Sequence, residues 1–143
     1  MFYEGILMPD QDLQQSSLPG DPACVAAFDQ CEFSRLLGMQ VLEASDGFSR
    51  VAMNGSGKLN SNGVLHGGAI FALADQAFGI AANCAGTSRV AVSVSILYVA
   101  PSSGNLVATA RRVSDNGSCD TYRVMVQEGD RIIAEFEGVA FRV

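Results

Sequence analysis

The chain has 143 residues, of which 48% are hydrophobic and 17% are charged. This length predicts one domain with a single core, and the apolar share excludes a disordered chain because enough surface can be buried to offset the entropy of ordering. The balance of 9 Lys+Arg against 15 Asp+Glu gives a net charge of −6, which argues against a nucleic acid partner, since phosphate binding needs clustered basic residues. The charged share lies below the roughly 25% typical of soluble domains, so we expect a partner to cover part of the surface.

Neither a membrane span nor a secretory signal is predicted. The most apolar long segment, residues 67–86, carries Asp75 in its middle, and the first twelve residues hold acidic side chains where a signal peptide has basic ones. We therefore expect a cytoplasmic protein without membrane contact. The four cysteines show no CxxC spacing, so free buried thiols are the preferred interpretation, with Cys24 and Cys31 on one helix face.

The first half of the chain shows helical spacing twice. Residues 1–20 have weak periodicity and are interpreted as an N-terminal arm that precedes one domain over residues 21–143. Asp21 followed by Pro22 is typical of a helix start, and Gly38 of the residue that ends a helix. An Asp-Gly turn joins the two strands that follow, and a long apolar segment then keeps helical spacing. The predicted segments are a helix at 22–37, strands at 39–44 and 48–54, a loop at 55–63 and a helix at 66–83.

The last third changes to the two-residue period of strands. Residues 89–100 alternate, and three further strands are predicted at 105–114, 118–128 and 131–142, separated by hairpin turns. The residues predicted to share one face of the first of these strands are Val90, Val92, Val94, Ile96 and Tyr98. A single, almost wholly apolar helix between groups of strands is typical of an α+β domain. We therefore predict an antiparallel sheet curled around a buried helix.

The start of the apolar helix is the first candidate site. His66, Gly67 and Gly68 stand where a helix leaves its first N–H groups without intrahelical partners and carries the positive end of its dipole. Glycines there let a ligand atom approach the backbone, and a developing oxyanion is one ligand that such a site would stabilise. Taken alone, His-Gly-Gly is more simply explained as a loop-to-helix junction.

Asp75 is the second candidate, because it is the only charge between His66 and Arg89. An ionised carboxylate in an apolar helix is costly unless it is paired or faces a wet cavity, which favours a functional role. Nine residues separate His66 from Asp75, which places them on opposite helix faces and about 13 Å apart along the axis. They cannot meet within one chain, but they could meet across a two-fold axis, which would build two equal sites.

A family resemblance follows from these residues together. Asn60 precedes the His-Gly-Gly, and Leu73, Ala74 and Asp75 follow it within the helix. This pattern resembles the hotdog-fold acyl-CoA thioesterases of the phenylacetate-degradation (PaaI-like) type, whose signature is an Asn, then His-Gly-Gly, then Leu-(Ala/Val)-Asp. The strand after the helix is also similar, and the element order matches over residues 22–143. The resemblance implies a hotdog fold, in which an antiparallel sheet wraps around a long central helix.

The resemblance also implies a role for each matching residue. Asp75 is similar to the catalytic carboxylate, which acts as nucleophile on the thioester carbonyl or as base for water, and the Gly67 N–H is similar to the oxyanion donor. His66 and Asn60 match residues that orient the thioester or the attacking water. Ser93 matches a hydroxyl that helps to place that water opposite Asp75.

The residues that would contact the substrate are less closely defined. Gly68 stands where a ligand approaches the helix. Gln76 departs from the family, in which a small hydroxyl residue often follows the Asp, and this leaves the shape of the acyl pocket open. Arg111 could meet the CoA phosphates, although Arg111 and Arg112 point to opposite faces of a strand and a solvated edge is the commoner interpretation.

The predicted function is hydrolysis of an acyl-CoA thioester by a homodimer or homotetramer. No cofactor is expected, because CoA belongs to the substrate, and no metal, because one histidine and separated cysteines offer no ligand set. Two alternatives stay open. One is a non-catalytic module that binds acyl-CoA or aromatic ligands on the same scaffold, and the other is an enoyl-CoA hydratase.

Overall fold

The computed structural model describes residues 22–84 and 86–143, and the predicted arm over residues 1–20 lies outside them. Two short helices come first, α1 (Pro22–Asp29) and α2 (Glu32–Leu36), and a long helix, α3 (Gly67–Asn83), lies between the second and third strands. The strands are β1 (Gln40–Ser45), β2 (Phe48–Met53), β3 (Arg89–Tyr98), β4 (Leu106–Asp115), β5 (Cys119–Glu128) and β6 (Arg131–Arg142).

The six strands form one sheet in the order β1-β2-β4-β5-β6-β3, with every neighbouring pair antiparallel. The strand order puts β3 at one edge of the sheet. α3 packs mainly on β2, β4 and β5, so β3 lies beside the area that the helix covers. The predicted α+β architecture, a sheet around one long central helix, is confirmed.

Small residues let α3 lie close to the sheet. Ala77 and Ala81 are fully buried, and the ring of Phe78 packs on the sheet, with its centroid 5.3 Å from that of Tyr122. Where Phe78 crosses β6, the sheet carries Gly138, at which a Cβ would lie 2.8 Å from the Phe78 ring. A glycine is needed there because the helix and the strand approach so closely.

The helix predicted over residues 22–37 is in fact two helices. Cys31 has an extended backbone (φ −63°, ψ 115°) and precedes α2 as its N-cap residue, so the helical conformation stops after Asp29. The spacing of apolar residues continues across this break, because it depends on which side chains face the protein interior and is not changed by one extended residue in the backbone. Gly38 adopts a positive φ of 66° directly after this segment, as predicted for the residue that ends a helix.

Two of the four cysteines are disulfide-bonded, so the prediction of free thiols is wrong for them. Cys24 in α1 is bonded to Cys84, and their Cα atoms lie 5.5 Å apart. Cys31 and Cys119 are free and half-buried. The spacing of Cys24 and Cys31 carries no information about a contact 60 residues away. That contact joins α1 to the end of the central helix.

The prediction that the central helix is buried is wrong for one of its faces. Leu73, Ala77 and Ile80 are fully buried, but a line of residues three or four positions apart is half-buried or exposed. We call this line the open face of α3; it consists of Gly68, Phe71, Ala72, Asp75, Gln76, Gly79 and Asn83. Hydropathy overstated the burial because glycine and alanine count as apolar whether or not anything covers them.

A bulge in β3 changes which of its residues share a face. The register shifts between Ala91 and Ser93. After the shift Val94 lies opposite Gly138, which contacts the α3 ring of Phe78, so Val94 is on the helix side of the sheet. Ser93 lies opposite Val139 and is therefore on the outer side. The single apolar face predicted for this strand is thus divided by the bulge, because an extra residue reverses the alternation.

A buried ion cluster anchors the far end of α3. Asp120 is fully buried, and its Oδ2 lies 2.8 Å from Nε of Arg89 and 3.4 Å from Nε of Arg112. The Tyr122 hydroxyl donates to the same oxygen at 3.2 Å. Arg89 also donates to the carbonyl of Ala82 in the last turn of the helix, at 2.8 Å. The cluster therefore ties the end of α3 to three strands.

Replacing Asp120 by alanine should lower the free energy of unfolding by about 3–5 kcal/mol, because it leaves the buried Arg89 without a counter-charge. Urea denaturation measures the loss. The matched control is Asp46→Ala, which removes a largely exposed carboxylate 2.6 Å from Arg112 and should cost about 1 kcal/mol or less. Equal losses in the two variants would contradict the importance assigned to burial.

Candidate active site

The first turn of α3 is capped by the side chain that precedes it. His66 has an extended backbone, and its Nδ1 accepts a hydrogen bond from the N–H of Gly68 at 2.8 Å. Its carbonyl accepts from the N–H groups of Ala69, at 2.9 Å, and Ile70, at 3.2 Å. Because Nδ1 is an acceptor, the neutral ring carries its proton on Nε2. The exposed imidazole thus offers one N–H donor beside the start of the helix.

One backbone donor is left over at this helix start. The N–H groups of Gly68, Ala69 and Ile70 have partners, whereas the Gly67 N–H has none within residues 22–84 and 86–143. It stands at the positive end of the helix dipole. A negative oxygen would be stabilised at this position, so the oxyanion role of Gly67 stays a prediction that this geometry permits.

The loop before the helix is held by Asn60. Its Oδ1 accepts from the N–H groups of Asn62, at 2.8 Å, and Val64, at 3.3 Å, and its own N–H donates to the carbonyl of Val64 at 2.7 Å. The N–H of His66 donates to the carbonyl of Lys58 at 2.9 Å. The structure therefore brings Asn60 and His66 into one ordered loop. The Asn60 oxygen serves the loop itself, and Nδ2 is the part of the amide that remains as a donor.

Asp75 lies on the open face of α3 and is exposed in the single chain. Its apolar surroundings nevertheless raise its pKa above the usual 3.8, through partial removal of the carboxylate from water. Across the part of the chain that the structure describes, no hydrogen bond or ion pair joins Asp75 to His66. The predicted separation of the two residues within one chain thus agrees with their positions on α3.

Gln76, the residue next to Asp75, faces the N-terminal helices. Its Oε1 accepts from the thiol of Cys31 at 3.8 Å, and its Nε2 is buried without a hydrogen-bond partner among the described residues. One turn further along, a Cβ on Gly79 would meet no atom within 4 Å. The acyl pocket predicted next to Gln76 therefore has open space beside it in the single chain.

Ser93 and Arg111 are not brought to this helix start. Both lie on the outer side of the sheet, away from α3, and both are exposed. The Arg111 guanidinium lies 4.7 Å from the ring centroid of Phe48 and borders a groove of about 900 Å³. Arg112, in contrast, points toward Asp120, so the prediction that Arg111 and Arg112 face opposite sides is confirmed.

Tyr98 is a site residue that the sequence reasoning missed. The sequence places it on an apolar strand face and in the strand that resembles the family's, with no role at the site, but its hydroxyl donates to the carbonyl of Gly67 at 3.0 Å. The signal available in the sequence was a tyrosine at the end of a strand that follows the helix. Nothing in the spacing shows that this strand end lies at the helix start, 31 residues earlier in the chain.

The described ranges contain no group of three His, Cys, Asp or Glu residues that could hold a metal ion. They also contain no helix that is long and apolar enough to span a membrane.

The fold and the helix start together define a hotdog-fold protein in which the Gly67 N–H, at the start of the central helix, has no hydrogen-bond partner among the described residues. The chain belongs to the thioesterase superfamily, whose family model matches residues 62–134. A relative from Archaeoglobus fulgidus that carries the name of an esterase is 38% identical over 112 residues. These residues cover 76% of this chain and 73% of the relative.

Two relatives of the PaaI type extend this comparison. The acyl-coenzyme A thioesterase PaaI of Escherichia coli is 29% identical over 122 residues, covering 82% of this chain and 87% of that protein. The solved structure of a variant of the phenylacetic acid degradation protein PaaI from Thermus thermophilus has a TM-score of 0.75 and 35% identity, covering 78% of this chain and 98% of that one. The predicted PaaI-like resemblance is confirmed.

Replacing Asp75 by asparagine should raise the melting temperature at neutral pH. The pKa of Asp75 is raised in the folded protein, so folding disfavours the ionised form, and the unfavourable contribution is present above that raised pKa. The gain should shrink as the pH falls and vanish below about 3.8, where the side chain is protonated in both states.

Melting curves between about pH 3.5 and about pH 7.5 check this expectation. Asp115→Asn is the matched control, because the Gly117 N–H lowers the pKa of that exposed carboxyl and its loss should reduce stability at neutral pH. A lower melting temperature for Asp75→Asn than for the parent at pH 7 would contradict the partial desolvation assigned to the Asp75 carboxylate.

Proposed function

We propose that this protein hydrolyses acyl-CoA thioesters to the free acid and CoA. The observation that carries the proposal is the Gly67 N–H, which has no hydrogen-bond partner in the described part of the chain and stands at the start of a helix whose open face also carries Asp75. Membership of the thioesterase superfamily and the name of the E. coli relative agree with this chemistry. We also propose that residues 21–143 act as one unit, because the described helices and strands between Pro22 and Arg142 pack on one sheet.

The donors at the helix start would bind the thioester carbonyl. In the tetrahedral intermediate its oxygen becomes negative, and the Gly67 N–H donates to it at the positive end of the dipole. The Nε2–H of His66 and the Nδ2–H of Asn60 are side-chain donors of the same loop, and they orient the thioester or the attacking water. Gly68 adds no side chain, which leaves the approach to the helix open.

Asp75 would supply the base or the nucleophile. As base, the carboxylate takes a proton from water, the water oxygen attacks the carbonyl carbon, the C–S bond breaks, and the proton passes to the CoA thiolate. As nucleophile, it forms an acyl anhydride and expels the thiolate, and water then hydrolyses the anhydride. An acyl group recovered on Asp75 after rapid quenching would identify the second path.

The two halves of the site would come from different protomers. Asp75 and His66 do not meet within one chain. The open face of α3 and the exposed apolar side chains of β3, such as Val92 and Leu97, have no cover within residues 22–84 and 86–143. A two-fold dimer, alone or within a tetramer, covers such surfaces and builds two equal sites. We propose that Ser93 joins Asp75 of the partner subunit in this way to place the water.

Arg111 remains the proposed contact for the CoA phosphates. Among the described residues it has no carboxylate partner, and it lies directly opposite Arg123 on the next strand. Two like charges facing each other are unfavourable, and a phosphate would relieve the repulsion. Gln76 is proposed to line the acyl pocket. No cofactor is needed, because CoA is part of the substrate.

We propose a cytoplasmic setting, because acyl-CoA thioesters are intracellular metabolites. The Cys24–Cys84 disulfide argues in the other direction, since disulfides are typical of oxidising compartments. The thiol content of the protein isolated under non-reducing conditions distinguishes the two: four free thiols would agree with a reducing cytoplasm, and two would agree with an oxidising compartment.

The main alternative is a non-catalytic module that binds acyl-CoA or aromatic ligands. It predicts tight binding without release of CoA over a broad panel of acyl-CoAs. A hydratase is a weaker candidate, because the one histidine uses Nδ1 to cap the helix, and it predicts water addition to enoyl-CoA without release of CoA.

Replacing Asp75 by asparagine should lower kcat by about 10³-fold on any acyl-CoA that the parent cleaves, because the base or nucleophile is lost. Release of CoA, followed with a thiol reagent, measures the rate. Asp130→Asn, at an exposed turn, is the matched control and should keep the parent rate. Turnover of the Asp75 variant near that of the parent would refute the mechanism.

A further inference from the structure

We propose that Tyr98 is a positioning residue for the oxyanion donor, an inference that rests on the proposed function. The Gly67 carbonyl and the Gly68 N–H belong to one peptide unit. The Tyr98 hydroxyl donates to that carbonyl at 3.0 Å, and His66 Nδ1 accepts from that N–H at 2.8 Å. Two side chains from different elements thus hold the two ends of the same peptide unit.

This peptide unit is the part of the helix start that most needs to be held. Two consecutive glycines have more backbone freedom than any other pair, and the first turn of a helix lacks half of its intrahelical hydrogen bonds. The Gly67 N–H belongs to the preceding peptide unit, whose carbonyl, that of His66, accepts from the N–H groups of Ala69 and Ile70. When the unit that follows is held as well, both torsion angles of Gly67 are fixed, and with them the direction in which the Gly67 N–H points.

The contact with Tyr98 also explains why position 67 is a glycine. A Cβ there would lie 3.3 Å from both Cζ and the hydroxyl oxygen of Tyr98, which is tighter than ordinary packing. Gly67 is not among the glycines with a positive φ, so no left-handed conformation requires it. The glycine makes room for the tyrosine, and the tyrosine restrains the glycine.

The sheet holds the tyrosine in place. Tyr98 is the last residue of β3 and lies opposite Ala134 of β6. The next two N–H groups, of Val99 and Ala100, both donate to the carbonyl of Ile133, at 2.8 Å and 3.2 Å. The backbone on both sides of the strand end is therefore fixed to β6. Because the backbone at Tyr98 is fixed, the hydrogen bond from its hydroxyl restrains the Gly67 carbonyl in the first turn of α3.

Tyr98→Phe removes the hydroxyl and keeps the ring, so it separates the hydrogen bond from the packing. We expect kcat to fall about tenfold while KM stays within about twofold, because a misdirected oxyanion donor weakens the transition state more than the bound substrate. The dissociation constant of a non-hydrolysable thioether analogue of the substrate should be unchanged. A role in packing alone would leave the ratio of kcat to KM at its parent value.

Tyr122→Phe is the matched control, because it makes the same substitution at a fully buried tyrosine. It removes a hydrogen bond to Asp120 and should lower the melting temperature while kcat stays within about twofold of the parent. A kcat for Tyr98→Phe within that same range would overturn the proposal.

A second measurement keeps the proposal testable if the parent cleaves no acyl-CoA, in which case the proposed function itself fails. The amide hydrogen of Gly68 should exchange about tenfold faster in Tyr98→Phe than in the parent, because one of the two bonds that hold its peptide unit is gone. Equal exchange in the two proteins would overturn the role of Tyr98 regardless of the reaction.

Discussion

α3 packs on the sheet through Leu73, Ala77 and Phe78, and this contact determines which parts of the helix stay open. The covered side is filled by apolar residues in contact with β2, β4 and β5. What remains is the first turn, with its free Gly67 N–H, and the open face that carries Asp75. The chemistry proposed for the protein uses these two uncovered parts of one otherwise buried helix.

The two ends of α3 are held by different means. At the far end the Cys24–Cys84 disulfide and the Arg89–Asp120 ion pair join the helix to α1 and to the strands. At the near end His66 and Tyr98 hold the first peptide units through single hydrogen bonds. The near end is thus rigid and still open to a ligand, which is the combination that a preorganised oxyanion site needs.

The local features of the site could be predicted from the sequence. The helix start at Gly67, the free N–H and the separation of His66 from Asp75 follow from helix geometry and from glycine chemistry. The contacts that could not be predicted join residues distant in the chain. The Tyr98–Gly67 bond spans 31 residues and the Cys24–Cys84 bond spans 60. The bulge after Ala91 could not be predicted either. The apolar residues alternate without interruption through this part of the sequence, so nothing in the pattern shows that one residue is left unpaired.

The central claim is that each site combines Gly67 of one protomer with Asp75 of the other. Gly67→Ala keeps the backbone N–H, but its Cβ would lie 3.3 Å from the ring and hydroxyl of Tyr98, so we expect it to displace the oxyanion donor and to inactivate the site. Mixing this variant with Asp75→Asn, after each has been shown to be inactive alone, and then exchanging subunits tests the claim most directly. If the site spans two protomers, a mixed dimer contains one intact site, and random pairing of equal amounts should restore about a quarter of the parent activity. If both residues serve one site within a chain, every site carries one defect, and the mixture will show only the mean of the two inactive variants, which would contradict the account.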